Sequence, residues 1–209
     1  MNDQRKNQLK REISTISNIT LKAQEAYLIV SYLQQDEDDA DLNYQKKMSS
    51  FFYYSRIIYW QITIIEIAKL LNEKEKFSVW RIIKKIKPDG EYSELKVSME
   101  LISKWEEKLA LEKESIKNIK DQRDKVYAHE DGSDDIKNLI PLSKIDFFLN
   151  LFKEIIVELE KPLGLPHRMF NLINSPAANL KYIIRMSAKG TKYEKEAYRE
   201  LTKQYGLEN

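Results

Sequence analysis

The stretch MELISKWEEKLALEKESIKNIKDQRDKVYAH, residues 99–129, decides how the chain is read. Apolar residues fall at Ile102, Trp105, Leu109, Ile116 and Ile119. Steps of three, four and seven return side chains to one face of an α-helix. Continued, the stripe reaches positions 123 and 126. Val126 fits it, but position 123 is an arginine. A guanidinium on a core-facing stripe is costly unless it meets an anion or opens onto a wet cleft. Six residues later stands His129, one of only two histidines in the chain. The rest of the sequence reads as a scaffold presenting this pair.

The flanking sequence is helical as well. Upstream, residues 7–34 carry Leu9, Ile13, Ile16, Thr20, Ala23, Tyr27 and Val30 in alternating steps of four and three, a narrow apolar seam. The acidic run at 36–41 ends this helix and is expected as a solvated turn that favours the start of the next one. Residues 44–72 are apolar nearly all round. A helix without a polar face is either central in a bundle or buries a second face against a partner subunit. Residues 77–86 form a short third helix, stopped by Pro88-Asp89-Gly90. The fourth begins between Ser93 and Ser98 and ends with the Arg123 stretch, before a glycine-containing acidic break at 130–135.

Ser143 with Asp146 resembles a capping box for a fifth helix, which turns Ile145, Phe148, Phe152, Ile155, Ile156 and Leu159 inward. Beyond Pro162, Gly164 and Pro166, two shorter helices are expected at 177–186 and 191–205, the second capped by Thr191 with Glu194. Here Lys181, Arg185, Lys189, Lys192, Lys195, Arg199 and Lys203 alternate with Tyr182, Tyr193, Tyr198 and Tyr205. Either these track a phosphate backbone and stack bases, or they form a solvated hairpin whose tyrosines pack on the bundle. No alternating run argues for a sheet. The predicted fold is all-α: an up-and-down bundle of four to five helices over 1–161, with a basic helical extension over 162–209 packed on or beside it.

Composition narrows the chemistry. Five glycines and five prolines in 209 residues are too few for the turns of a sandwich or barrel. Cysteine is absent, which excludes disulfides, thiol nucleophiles and thiolate zinc sites. The polar N-terminus leads into no apolar leader, so secretion is not expected. Residues 51–71 are apolar enough to consider a membrane span, but Arg56, Gln61, Glu66 and Lys69 interrupt them. The expectation is a cytoplasmic protein outside the membrane. Net charge is +2, with the basic excess in the tail.

On an unbroken helix, residues six apart are rotated by about 600°, roughly 120° away from a shared face. Arg123 and His129 therefore converge only if the helix ends near Tyr127 and the chain curls back, or if each meets its counterpart across a two-fold axis. Arginine binds phosphate oxygens in pairs and stays charged. Histidine gives or takes a proton near neutrality. Together they suffice for RNA cleavage without a metal or other cofactor. The imidazole moves a proton as the 2′-OH attacks phosphorus or the 5′-oxygen leaves, and the guanidinium stabilises charge on the phosphorane.

Asp124 orients Arg123 or His129, or is a solvated charge. Lys120, Lys125 and Tyr127 are candidate nucleic-acid contacts. The alternative is structural: Arg123 pairs with an acid such as Glu66 or Glu112, and His129 caps the helix end. His167, beside Arg168 in a proline-rich turn, reads as structural.

Arginine, a polar residue and then a histidine at a bundle-helix end resemble the signature of the HEPN superfamily (higher eukaryotes and prokaryotes nucleotide-binding). Arg123, Asp124 and His129 match its three positions. The wider string through Glu130-Asp131, ahead of an acidic loop and an apolar helix, is most similar to the AbiU-like branch, associated with abortive infection of phage-hit bacteria. The resemblance covers roughly residues 5–160. It implies a homodimer with both motifs facing one cleft, and a metal-independent endoribonuclease acting as a toxin or phage-defence effector, with an antitoxin as a candidate partner. In relatives silenced by a nucleotidyltransferase, a modified tyrosine follows the histidine by two residues. Here that position is Asp131, which argues against such control. A non-catalytic nucleotide- or RNA-binding module and a structural helical interaction protein are the alternatives.

Overall fold

The computed structural model describes residues 1–34, 39–124, 140–166, 170 and 175–205. Among these there are eight α-helices and no strand, so the fold is all-α with a C-terminal helix. The helices are α1 (Asp3–Gln34), α2 (Asp39–Lys47), α3 (Ser49–Leu71), α4 (Val79–Ile86), α5 (Met99–Leu111), α6 (Lys113–Gln122), α7 (Leu142–Glu160) and α8 (Pro176–Gln204). None is long and apolar enough to cross a membrane.

The chain divides into two compact units. One comprises Met1–Tyr27 and Trp60–Leu172; the other comprises Leu28–Tyr59 and Ile173–Asn209. α1 and α3 each contribute a segment to both.

The larger unit is built on the expected apolar stripes. Leu9, Ile13 and Ile16 of α1, Ile64 and Ile67 of α3, Ile102, Trp105 and Leu109 of α5, and Phe148, Phe152 and Ile155 of α7 share one buried core. α4 adds Ile82, Ile83 and Ile86. Its start is fixed by Ser78, whose Oγ accepts from the Arg81 N–H at 3.3 Å. Ser98 caps α5 in the same way, accepting from Leu101.

Polar ties at the core's edge orient these helices. Glu154 of α7 accepts from Trp105 Nε1 at 3.1 Å and from Lys108 Nζ at 2.6 Å. Burial opposes ionisation of this carboxyl, but the two donors outweigh it and hold its pKa below the usual range. Glu112 accepts from Lys144 Nζ at 2.5 Å and Ser115 Oγ at 2.7 Å, and is lowered by the same balance. Glu12 of α1 accepts from Lys85 Nζ at 2.7 Å and from the buried Tyr92 hydroxyl at 3.0 Å. Burial works against the Lys85 charge, yet Glu12 and Glu91 raise its pKa overall.

The turn after α4 depends on Gly90. A Cβ there would sit 2.2 Å from the Lys85 carbonyl oxygen. Its absence lets the Tyr92 N–H reach that same oxygen at 2.7 Å.

The smaller unit packs α2 along α8. Ile29, Tyr32, Leu33, Phe52 and Ile184 form its core. Asp41 of α2 is buried and accepts from the Tyr32 hydroxyl at 3.3 Å, with Arg185 Nε of α8 at 3.4 Å. At Asp41 the acidic run is thus a buried anchor rather than a solvated turn; residues 36–38 lie outside the described residues.

Four local expectations are corrected. The helix foreseen at 44–72 is interrupted at Met48, although the Met48 N–H still reaches Tyr44 O and the Phe52 N–H reaches Met48 O. The fourth helix is interrupted at Glu112, whose φ of −101° and ψ of 21° depart from helical geometry. Ser143 is not an N-cap: α7 starts after Pro141 without a side-chain cap bond. The tail is one 29-residue helix, in which Thr191 donates its hydroxyl back to Ser187 O instead of capping a new start. That helix is capped by Ser175, which accepts from the Ala178 N–H, and Pro176 sits in its first turn.

Candidate functional site

The break at Glu112 determines where Arg123 lies. α5 buries Ile102, Trp105 and Leu109, whereas α6 buries Ile116, Ile119 and Gln122. Gln122 therefore takes the core-facing place, and Arg123 lies at the rim with 21% of its side chain exposed. The expectation that its guanidinium replaces an apolar core residue is corrected by this rotation.

Arg123 closes α6, and its N–H bonds Ile119 O and Lys120 O. Arg123 itself keeps right-handed helical backbone, φ −58° and ψ −50°. Arg123 Nε donates to Asp124 Oδ1 at 2.7 Å, and Nη1 lies 3.6 Å from Glu75 Oε1 in the α3–α4 connection. Neither acid foreseen as its structural partner holds it. Glu66 pairs with Lys69 at 2.8 Å, and Glu112 pairs with Lys144. A guanidinium carries five donors, so these contacts do not exhaust it.

Lys113, Lys117 and Lys120 follow one another in steps of four and three on α6, and the next step of three is Arg123. These lysines line a cleft of ≈ 360 Å³ with Trp80, Glu73 and Asp121. Trp80 Nε1 is buried without a hydrogen-bond partner among the described residues. The three ammonium groups outnumber the carboxylates of Glu73 and Asp121, which leaves the cleft weakly basic. Sequence reasoning missed Trp80, Lys113, Lys117 and Glu75. Nothing in the spacing ties residues 73–80 to α6.

Of the foreseen site residues, the structure brings together Arg123 and Asp124 and places Lys120 on the cleft. His129, Lys125 and Tyr127 lie outside the described residues, as do the 130–135 break, with Asp131, and His167. Among the described residues, no cluster of three or more His, Cys, Asp or Glu side chains could hold a metal ion.

Compared with protein-family models, with curated proteins and with solved structures, the chain matches none.

Proposed function

We propose that this chain is a HEPN-type, metal-independent endoribonuclease that cleaves single-stranded or loop RNA, acting as a toxin or phage-defence effector. The observation that carries the reading is Arg123 at the end of a lysine face, held in place by Asp124 and Glu75 beside a weakly basic cleft. In this reading Lys113, Lys117 and Lys120 draw the RNA backbone in, and Arg123 receives the scissile phosphate. His129 moves the proton as the 2′-oxygen bonds to phosphorus and the 5′-oxygen departs, which leaves a 2′,3′-cyclic phosphate and a 5′-hydroxyl. A homodimer supplies a second imidazole, so one can act as base and the other as acid. The first half of α3 supports self-association, because Phe51, Tyr54 and Ile58 are exposed on one face of it.

The test is RNA cleavage by wild type, Arg123→Ala and His129→Ala in excess chelator, with end-group analysis. The expected result is cyclic-phosphate ends from wild type and a loss of about 100-fold or more in each variant. Equal cleavage by all three, or strict dependence on added metal, removes the mechanism.

A second reading is favoured by the two carboxylates already on Arg123: a module that binds RNA without cutting it. Salt-sensitive binding without turnover selects that reading.

A further inference from the structure

α2 and α8 enclose a groove of ≈ 820 Å³ in the smaller unit. Its walls carry Lys46 and Lys47 from α2, and Lys192, Lys195 and Arg199 from α8, against the single carboxylate of Glu196. Five cations less one anion give a formal +4, twice the net charge of the whole chain, +2. The rest of the protein is therefore net negative, and the basic character collects here by folding. Three of the five cations come from the basic tail, and Lys46 and Lys47 join them because α2 packs on α8.

The groove is anchored. Buried Asp41, one to two turns before Lys46 and Lys47, is held by Tyr32 and by Arg185 of α8. That ion pair fixes the register in which the two basic walls face each other. The arrangement also has a cost. Lys192 and Lys195 are three residues apart, and Lys195 and Arg199 four. Like charges at these spacings destabilise a helix by a few tenths of a kcal/mol each. Among the described residues, Lys192 of the groove pairs with Glu196 at a loose 3.9 Å. The surplus of positive charge suits an anionic ligand.

The shape and surroundings indicate which anion. From Lys192 to Arg199 the charges extend over about 10 Å of helix, more than one phosphate group can span. Tyr44 lines the groove beside Lys46 and Lys47. Two facing rows of cations with one aromatic ring between them match a single strand whose phosphates track the charges while a base stacks on Tyr44.

We infer that the α2–α8 groove binds the backbone of single-stranded RNA. The inference requires RNA as the ligand but not its cleavage, so it stands if the nuclease reading fails. Binding of the full chain to a fluorescent 2′-O-methyl RNA 20-mer, followed by anisotropy at 50 and 200 mM salt, tests it. A single strand loses about 0.7 in log–log salt slope per neutralised phosphate. Lys192→Gln/Lys195→Gln/Arg199→Gln should therefore reduce the slope by about 2.1, whatever the α6 lysines add to the total, while Lys22→Gln keeps wild-type behaviour.

Lys46→Gln/Lys47→Gln on the opposite wall should reduce the slope by about 1.4. It decides the matter if the α8 triple variant loses helicity by circular dichroism. Wild-type affinity and slope in folded variants overturn the inference. So does capture of the protein by anionic phospholipid vesicles, lost in the same variants, with no binding to RNA.

Discussion

Replacing Glu75 with glutamine should tighten RNA binding, whereas replacing Arg123 with alanine should weaken it. Glu75 lies 3.6 Å from Arg123 Nη1 and its side chain is 46% exposed, so water's dielectric governs its field. A phosphate seated on the open side of the guanidinium lies about 7 Å from that carboxylate, and the repulsion at this distance is about 0.6 kcal/mol. Its removal corresponds to roughly threefold tighter binding. Stability changes little, because a pair this exposed contributes about 0–1 kcal/mol. Arg123→Ala instead loses charge-assisted hydrogen bonds of about 1.5–3 kcal/mol, roughly 10- to 100-fold in affinity. Anisotropy with a non-cleavable 2′-O-methyl RNA at low salt reads both, and raising the salt should shrink both effects. If neither substitution alters binding while Arg123→Ala lowers the melting temperature, the guanidinium serves the fold alone and receives no phosphate.

Further outcomes follow from the scaffold. Gly90→Ala forces a Cβ against the Lys85 carbonyl at 2.2 Å, and should cost about 2–3 kcal/mol, seen as a melting temperature lower by roughly 4–10 °C in a chain of this size. Glu112 and Glu154 have pKa values below the ordinary 4.5; the stability they contribute is complete above that value and lost as pH falls through the lowered ones, and Glu112→Gln should flatten this acid limb in melts from neutral to about pH 3. Lys85 is raised above 10.5, so its contribution persists below that value and disappears as pH rises past it. Asp41→Ala removes the acceptor shared by Tyr32 and Arg185, at about 1–2 kcal/mol; amide exchange in α2 should accelerate about tenfold or more while that of α5 is unchanged.

Where side-chain periodicity alone sets a helix, the sequence was legible. The α1 seam from Leu9 to Val30 and the inward face of α7 from Ile145 to Leu159 are buried as their spacing indicates. The interruptions were not legible, since neither Met48 nor Glu112 is a residue type that announces a break. Thr191 with Glu194 misled in the other direction. The pair read as the start of a second helix, yet α8 runs through it and through Gly190, at a cost of about 1 kcal/mol relative to alanine. At the candidate site, the residue types of Arg123 and Asp124 were readable. Their surroundings were not, because Glu75 and Trp80 reach α6 through tertiary packing that leaves no periodic trace.

The length of α8 has a mechanical consequence. Its 29 residues extend about 43 Å, against about 13 Å for the nine residues of α2. From Lys192 to Leu201 every residue is exposed. A helix this short is marginal in water by itself. The outer part is a cantilever, kept wound by continuity with its clamped root. Gly190 sits at that root with nothing within 4 Å of where a Cβ would lie. A single methyl group added there would stiffen the beam without touching its mounting.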